Sequence, residues 1–127
     1  MPKIKYTTEK GLVQSTGSGF VGGLFMKPGY TAVAGATLAI PLTHGVVNKT
    51  TGGAEALTLA NGLPGQLLKI VLTTDGGDGT LTPTTATGWA TIVFGDAGDS
   101  ATLLYVNDTI GWIILGLSGK AAPPAHT

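Results

Sequence analysis

The residues best able to do chemistry include two histidines, and neither has the surroundings of a catalytic residue. His44 lies beside Gly45 at a predicted strand end, and His126 is in the proline-rich segment at the end of the sequence. Nucleophilic catalysis needs an activated serine or threonine near a histidine and an acid. A glycosidase needs two opposed carboxylates in a cleft, which a small Gly- and Thr-rich sheet is not expected to form. The sequence predicts a protein that is not an enzyme.

The aspartates fall in predicted turns, at Asp75, Asp78, Asp96, Asp99 and Asp108. A calcium loop requires a denser alternation of acids or GGxGxD repeats, and neither DGGDGT nor GDAGDS matches these patterns. The absence of cysteine excludes cysteine-ligated metal and disulfides. We therefore expect no metal and no cofactor. The alternative that two of these aspartates cluster with a main-chain carbonyl and bind a cation is left open by the sequence.

Residues 17–22, GSGFVG, fit the glycine fingerprint of dinucleotide-binding proteins. That fingerprint requires a helix beginning at the loop, whereas Pro28 and Gly29 stop any helix here. Nucleic-acid binding would require a basic stripe with interleaved aromatic residues. The chain has no arginine, and its lysines do not cluster beyond Lys3 and Lys5. We expect neither a nucleotide nor a nucleic-acid partner.

The composition is unusually poor in charge, with 11% charged residues in 127 and a mean hydropathy of +0.33. A chain of this length forms one domain and cannot bury all its apolar groups within itself. The excess is expected in a subunit interface, because obligate interfaces resemble a divided core. The longest apolar run, residues 110–117, is far shorter than the roughly 20 residues of a spanning helix. We expect no membrane span and no secretory signal.

Charge is unevenly distributed along the chain. Residues 1–50 hold five lysines against Glu9 alone, and residues 51–127 hold two lysines against six acids. This polarity favours either head-to-tail contact or docking of the N-terminal part on an acidic surface. The plainer interpretation, a few solvating lysines, is equally open. The five lysines are Lys3, Lys5, Lys10, Lys27 and Lys49.

Short apolar runs separated by Gly, Asp, Asn, Thr and Pro predict an all-β fold. The clearest runs are residues 67–74, 89–94, 101–106 and 110–115, which we expect to be antiparallel strands joined by hairpins. Weaker runs lie at 37–42, 45–49 and 55–60. Their spacing favours a single antiparallel β-sandwich or a jelly-roll-like barrel.

The chain is predicted to divide into three parts. Residues 1–30 form an extended N-terminal arm or edge strands, residues 31–119 form the β-sandwich or barrel domain, and residues 120–127 form a loose tail. The apolar side chains of the strands are expected in the core or in a subunit interface. They are Leu68, Ile70, Leu72, Trp89, Ile92, Phe94, Leu103, Tyr105, Trp112 and Ile114.

In order and spacing, residues 45–119 resemble a module of tailed-bacteriophage virion proteins. The matching segments are AEALTLANG (54–62), a GQ turn (65–66), DGGDGTLTPT (75–84), GWATIVF (88–94), DAGDSATLLYV (96–106) and GW (111–112). Proteins with this module are usually capsid-decorating (cement) proteins or parts of head fibres. Their pattern contains no catalytic residues, and residues 1–44 lie outside it.

The resemblance implies a non-enzymatic homotrimer that binds the outer surface of a phage capsid and stabilises it. The expected partners are further copies of the chain and the major capsid protein, and the expected location is the virion exterior after synthesis in the bacterial cytoplasm. The N-terminal segment is expected to contact the capsid through Lys3, Lys5, Tyr6, Phe20, Phe25 and Met26. The alternative is a receptor-binding or adhesive module of a head fibre, tail fibre or knob.

Overall fold

The computed structural model describes residues 4–7, 11–14, 25–26, 29–33, 37–120 and 122–127. Within those ranges the secondary structure is all β. In chain order the strands are β1 (Ile4–Thr7), β2 (Gly11–Gln14), β3 (Phe25–Met26), β4 (Tyr30–Val33), β5 (Val46–Thr50), β6 (Glu55–Leu59), β7 (Gln66–Thr74), β8 (Gly79–Pro83), β9 (Ile92–Phe94), β10 (Ser100–Tyr105), β11 (Trp112–Ser118) and β12 (Ala125–His126).

The strands form two larger sheets and one separate pair. The large sheet has the order β11-β10-β7-β5-β4, and β3 pairs with the beginning of β7. The small sheet has the order β12-β9-β8-β6, and β1 pairs with β2 alone. β10 runs antiparallel to both β7 and β11, whereas β5 is parallel to both β7 and β4. In the small sheet β8 is antiparallel to β9 but parallel to β6.

The predicted all-β class is confirmed, but the prediction of purely antiparallel pairing is wrong because both larger sheets are mixed. The physical reason is the path of the chain. β5 and β7 lie in the large sheet, and β6 and β8 in the small one, so the chain changes sheet at each of three successive turns. A strand that returns to its sheet after one excursion points in its original direction. The turn residues were recognisable from the sequence, but the sheet to which each turn leads was not.

The buried side chains of both sheets meet in one hydrophobic cluster. Because side chains alternate along a strand, each sheet contributes one face. The large sheet supplies Val33, Val47, Leu68, Ile70, Leu72, Ala101, Leu103, Tyr105 and Trp112; the small sheet supplies Leu57, Leu59, Leu81, Ile92 and Phe94; Ile40 and Trp89 complete the cluster. Burial of each large apolar side chain contributes roughly 1.5–3 kcal/mol relative to exposure.

Two predicted strands are shorter than expected. The run 89–94 is a strand only over Ile92–Phe94, and Trp89 is buried outside it, with its indole Nε1 donating to the Trp112 carbonyl at 3.0 Å. The run 37–42 contains only a bridge between Ala39 and Thr58. Pro41 cannot donate to a ladder, which limits pairing at this point.

The C-terminal segment is paired, in contrast to the predicted loose tail. β12 adds to the edge of the small sheet opposite β9, and the amide of Thr127 donates to the Thr91 carbonyl at 3.0 Å. Pro124 is buried. Prolines mark the approach to an edge strand here, where a missing amide donor costs little.

The first and third crossings between the sheets are hydrogen-bonded to each other. The Thr51 hydroxyl donates to the Gly77 carbonyl at 2.7 Å and accepts the Gly76 amide at 3.0 Å. The amide of Glu55 donates to the Asp78 carbonyl at 2.9 Å. These bonds provide partners for main-chain groups that would otherwise have none where the chain leaves each sheet.

A buried ion pair spans the first crossing. Lys49, on the core side of β5, is 1% exposed, and its Nζ lies 2.9 Å from Oε1 of Glu55, the first residue of β6. The ammonium also donates to the Thr37 carbonyl at 2.6 Å. The Gly52 amide, at 2.8 Å, and then Lys49 hold the pKa of the Glu55 carboxyl below its ordinary value of 4.5. The stability that this carboxylate contributes is present above pH 4.5 and is lost as the pH falls through the lowered pKa.

A second polar link closes the hairpin between β10 and β11. The hydroxyl of Tyr105, whose side chain is fully buried, hydrogen-bonds Asp108 Oδ1. Its ring and that of Trp112 pack in a T-shaped arrangement with centroids 5.2 Å apart. Burial, followed by the hydrogen bond and charge of Asp108, raises the pKa of Tyr105 to about 12.

We expect Lys49→Met to lower the free energy of unfolding, because it removes the ammonium that pairs with Glu55 and donates to the Thr37 carbonyl from inside the core. Urea titration checks the loss. Adding Glu55→Gln to the same chain should recover part of it, since the buried charge is then gone. Lys120→Met, at an exposed lysine, is the control and should change the free energy of unfolding by less than about 0.5 kcal/mol. Equal effects of the two lysine substitutions would contradict the role of the pair.

The raised pKa of Tyr105 predicts that the protein loses stability at alkaline pH. Its folded-state pKa of about 12 exceeds its ordinary value of 10.0, so its contribution is complete below pH 10 and disappears as the pH rises to about 12. Urea midpoints measured across this interval should fall less steeply for Tyr105→Phe than for the unsubstituted protein. If the midpoints of both proteins fell in parallel with pH, the pKa of Tyr105 would not be raised in the folded protein.

Candidate functional site

The residues first considered for catalysis are not assembled into a catalytic group in the described ranges. His44 Nδ1 lies 3.0 Å from the hydroxyl of its neighbour Thr43, and His126 is exposed in β12. No cluster of three or more His, Cys, Asp or Glu side chains occurs among the described residues. The glycine fingerprint at 17–22 lies outside them.

A shallow, open depression of about 390 Å³ lies beside the first residues of β6. It is lined by Ala54, Glu55, Ala56, Asp78 and Thr80. Its most polar wall, Glu55, is already engaged by Lys49 and by the Gly52 amide. The wall of the depression therefore holds two carboxylates: that of Glu55, which is largely buried and paired, and that of Asp78, which is exposed at a turn.

The ten residues predicted for the core or subunit interface lie on the inner side of this single chain. Nine are buried in its hydrophobic cluster, and Ile114 is partly buried against it. They are therefore not available at the surface for a neighbour. Any interface formed by the sheets must use the alternate residues of the same strands.

Those alternate residues form an apolar row on the outer face of the large sheet. Leu104 of β10 stands opposite Leu67 of β7 on one side and Ile113 of β11 on the other. All three are only half-buried. Directly opposed side chains have Cβ atoms about 4.5–5.5 Å apart, so the three form one continuous strip, which we call the outer apolar row.

A β-bulge extends this surface to the edge of the sheet. The register between β10 and β11 shifts after Thr102, so that Leu115 has no partner on β10. Leu115 is 53% exposed, whereas Leu117, two residues later, packs against the core. β11 is the last strand of the large sheet. The bulge thus presents a large apolar side chain beside the outer apolar row.

The residues predicted to contact a capsid are placed only in part. Lys5 and Tyr6 lie in β1, and Phe25 and Met26 form β3. Met26 is the main-chain partner of Leu67 in the parallel pairing of β3 with β7. Lys3 and Phe20 lie outside the described residues.

The charge distribution changes once burial is known. Lys49 was counted among the lysines of the N-terminal half, but its charge is paired inside the core. Asp75, Asp78, Asp96 and Asp108 are exposed at turns, as expected from their neighbours. Asp75 Oδ1 accepts the Gly77 amide at 3.0 Å, so this acid shapes its own turn. Asp99, in contrast, is buried.

The outer apolar row can be predicted from the sequence. In residues 66–72 a strict alternation puts Leu67 on the face opposite Leu68, and both are apolar. Leu67 and Val71 also give this strand apolar outward positions, with Lys69 between them, and such positions favour a strand that is covered on both sides. The bulge at Leu115 cannot be predicted from the sequence, because no residue type marks it.

An interface between copies at the outer apolar row predicts that Leu104→Lys weakens self-association, because a second copy covering the row would have to bury an unpaired ammonium. The dissociation constant should rise at least about tenfold. Sedimentation velocity measures this, and Thr82→Lys, on the exposed side of β8 in the small sheet, is the matched control. Identical mass distributions for both variants would exclude the outer apolar row as a contact between copies.

Among the described residues, no helix is long and apolar enough to cross a membrane. Comparison with protein-family profiles and with curated proteins finds no match to this chain.

Proposed function

We propose that the protein is a non-enzymatic structural subunit of a phage virion, a cement protein that forms a homotrimer and binds the outside of the capsid. Its partners are then other copies of itself and the major capsid protein, with no nucleic acid and no membrane. Its fold would be a β-sandwich whose N-terminal segment acts as an arm. The observation that carries the proposal is the outer apolar row on a block with very few charges.

Self-association is supported by the composition of that face. Along β7, β10 and β11 the outward positions include Leu67, Leu104 and Ile113, and Lys69 is the charged residue among them. A stable interface buries about 800 Å² per partner. At about 25 cal/mol for each Å² of apolar surface, such burial offsets the cost of association only if the contact is largely apolar. Many symmetric copies on a shell add avidity to modest individual contacts.

The chemistry-bearing side chains support a structural role for a second reason. Lys49, the most deeply buried charged side chain among the described residues, bridges the two sheets with Glu55. Tyr105 and Asp108 close a hairpin. Each of these groups is committed to holding the block together, as expected of a subunit that stabilises a larger shell by contact alone.

Attachment to the capsid is assigned to the N-terminal segment. With Lys49 paired internally, the lysines left in the first half of the chain all precede residue 30. A basic segment next to an acidic remainder can be guided to an acidic surface by long-range attraction. The contact residues of this arm would be Lys3, Lys5, Tyr6, Phe20, Phe25 and Met26.

Co-sedimentation with purified capsid shells of the phage that carries the gene tests this assignment. Lys5→Glu should lower the affinity about fivefold at low salt, and the difference should shrink as salt is raised. Lys120→Glu makes the same change of charge at an exposed lysine of the opposite terminus and should bind as the unsubstituted protein does. Equal binding by both variants would refute the arm assignment. Binding to host cells with no binding to shells would refute the cement role and favour the fibre alternative.

A further inference from the structure

Asn61 and Gly62 form the one Asn-Gly pair of the chain, in the loop between β6 and β7. Asn61 is exposed, and its side-chain amide forms no hydrogen bond with any part of the chain that the structure describes. Within the same ranges the main-chain amide of Gly62 has no acceptor either. Two groups that can react with each other are therefore adjacent, and no hydrogen bond holds them apart.

Close packing explains why residue 62 is glycine. A Cβ placed there would lie 2.7 Å from Gln66 Oε1 and 2.9 Å from the indole ring of Trp112, closer than side chains can approach. The fold therefore requires a residue without a side chain at this position. The same lack of a side chain leaves the main-chain nitrogen that follows Asn61 unshielded.

We propose that Asn61 is a modification site, at which the folded protein deamidates spontaneously with water as the co-reactant. The Gly62 main-chain nitrogen attacks Cγ of Asn61 and loses its proton as the N–Cγ bond forms. The Cγ–Nδ2 bond then breaks, and ammonia leaves with that proton, so that a five-membered succinimide remains. One water molecule opens the ring at either carbonyl and gives aspartate or isoaspartate, with no oxidation or reduction.

The other two asparagines of the chain are held by hydrogen bonds or strand pairing. Asn107 Oδ1 accepts the amides of Thr109 at 3.0 Å and Ile110 at 2.8 Å, so its side chain is fixed in its turn. Asn48 lies in β5, which is paired with β4 on one side and β7 on the other. Ring closure at either residue requires these contacts to break first.

Two Asp-Gly pairs, which can form the same ring with loss of water, are also held. The Gly76 amide, which follows Asp75, donates to the Thr51 hydroxyl at 3.0 Å. Gly79, which follows Asp78, begins β8 and pairs with Phe94 of β9. The structure thus singles out Asn61 among the pairs that glycine makes reactive.

The isoaspartate product would strain the loop. Isoaspartate routes the main chain through the side-chain carbon, which adds one atom between residues 61 and 62. This segment is anchored on both sides, since the Ala60 carbonyl accepts Trp112 Nε1 at 2.9 Å and the Leu63 amide donates to Gln66 Oε1 at 3.0 Å. A longer path between these anchors displaces Gly62 from its tight place. This inference is independent of the proposed role in a virion.

The test follows the full chain by mass spectrometry during incubation in mildly alkaline buffer, folded and in guanidinium chloride. In the folded protein the peptide with Asn61 should gain about one dalton and divide into aspartyl and isoaspartyl forms, at least about tenfold faster than the peptides with Asn48 and Asn107. Unfolding should change the rate at Asn61 by less than about threefold and should accelerate the reaction at Asn107. An unmodified Asn61 in the folded protein, or folding that slows Asn61 as much as Asn107, would overturn the proposal.

Two variants test the chemistry and its consequence. Asn61→Gln should abolish the mass gain at this peptide, because its longer side chain has to close a six-membered ring. Freshly prepared Asn61→Asp carries the charge of the product without the added main-chain atom. The thermal midpoint of the aged unsubstituted protein should therefore be lower than that of Asn61→Asp. An equal mass gain in Asn61→Gln would overturn the assignment of the site, and equal midpoints would overturn the strain assigned to isoaspartate.

Discussion

Between β5 and β8 every strand lies in the opposite sheet from the strand before it, and the rest of the structure depends on how these crossings are held. Lys49 and Glu55 close the first crossing with a buried ion pair. Thr51 then ties that crossing to the third through Gly76 and Gly77. Because both sheets are fixed at one end in this way, their inner faces can share a single hydrophobic cluster.

The same crossings explain which features the sequence could predict. Period-two alternation identified the inward residues of β7 and β10, such as Leu68 and Leu103, because one face of each strand must be buried. It could not assign a strand to a sheet, since a Gly- and Asp-rich turn looks the same whether it returns to its own sheet or crosses. The parallel pairs β5–β7 and β6–β8 were missed for this reason.

Other errors came from residue types used in uncommon ways. A lysine is almost never fully buried, so Lys49 was counted with the lysines available for docking or solvation. Pro123 and Pro124 indicated a loose tail, whereas Pro124 is buried and the next two residues extend the small sheet. The ten apolar residues expected in the core or in a subunit interface are not among these errors, because they lie in the core. A surface that meets a neighbour consists of the residues between them.

In the proposed function, the core of the protein provides stability and two surface regions provide contacts. The inner face, its ion pair and its hairpin link give a rigid unit. The outer apolar row, with Leu115 beside it, gives a face suited to another copy. The proposed function assigns attachment to the basic N-terminal segment, whose net charge is opposite to that of the rest of the chain. The core, the outer apolar row and the N-terminal segment depend on different interactions, so a separate experiment tests the role of each.

Electron cryomicroscopy of phage particles assembled with the protein present tests the central claim most directly. The proposed function predicts trimeric density on the outer surface of the capsid, with the large-sheet faces of neighbouring copies turned toward one another and the N-terminal segments reaching the shell. Density at the tip of a fibre, or a capsid surface without added density, would contradict it.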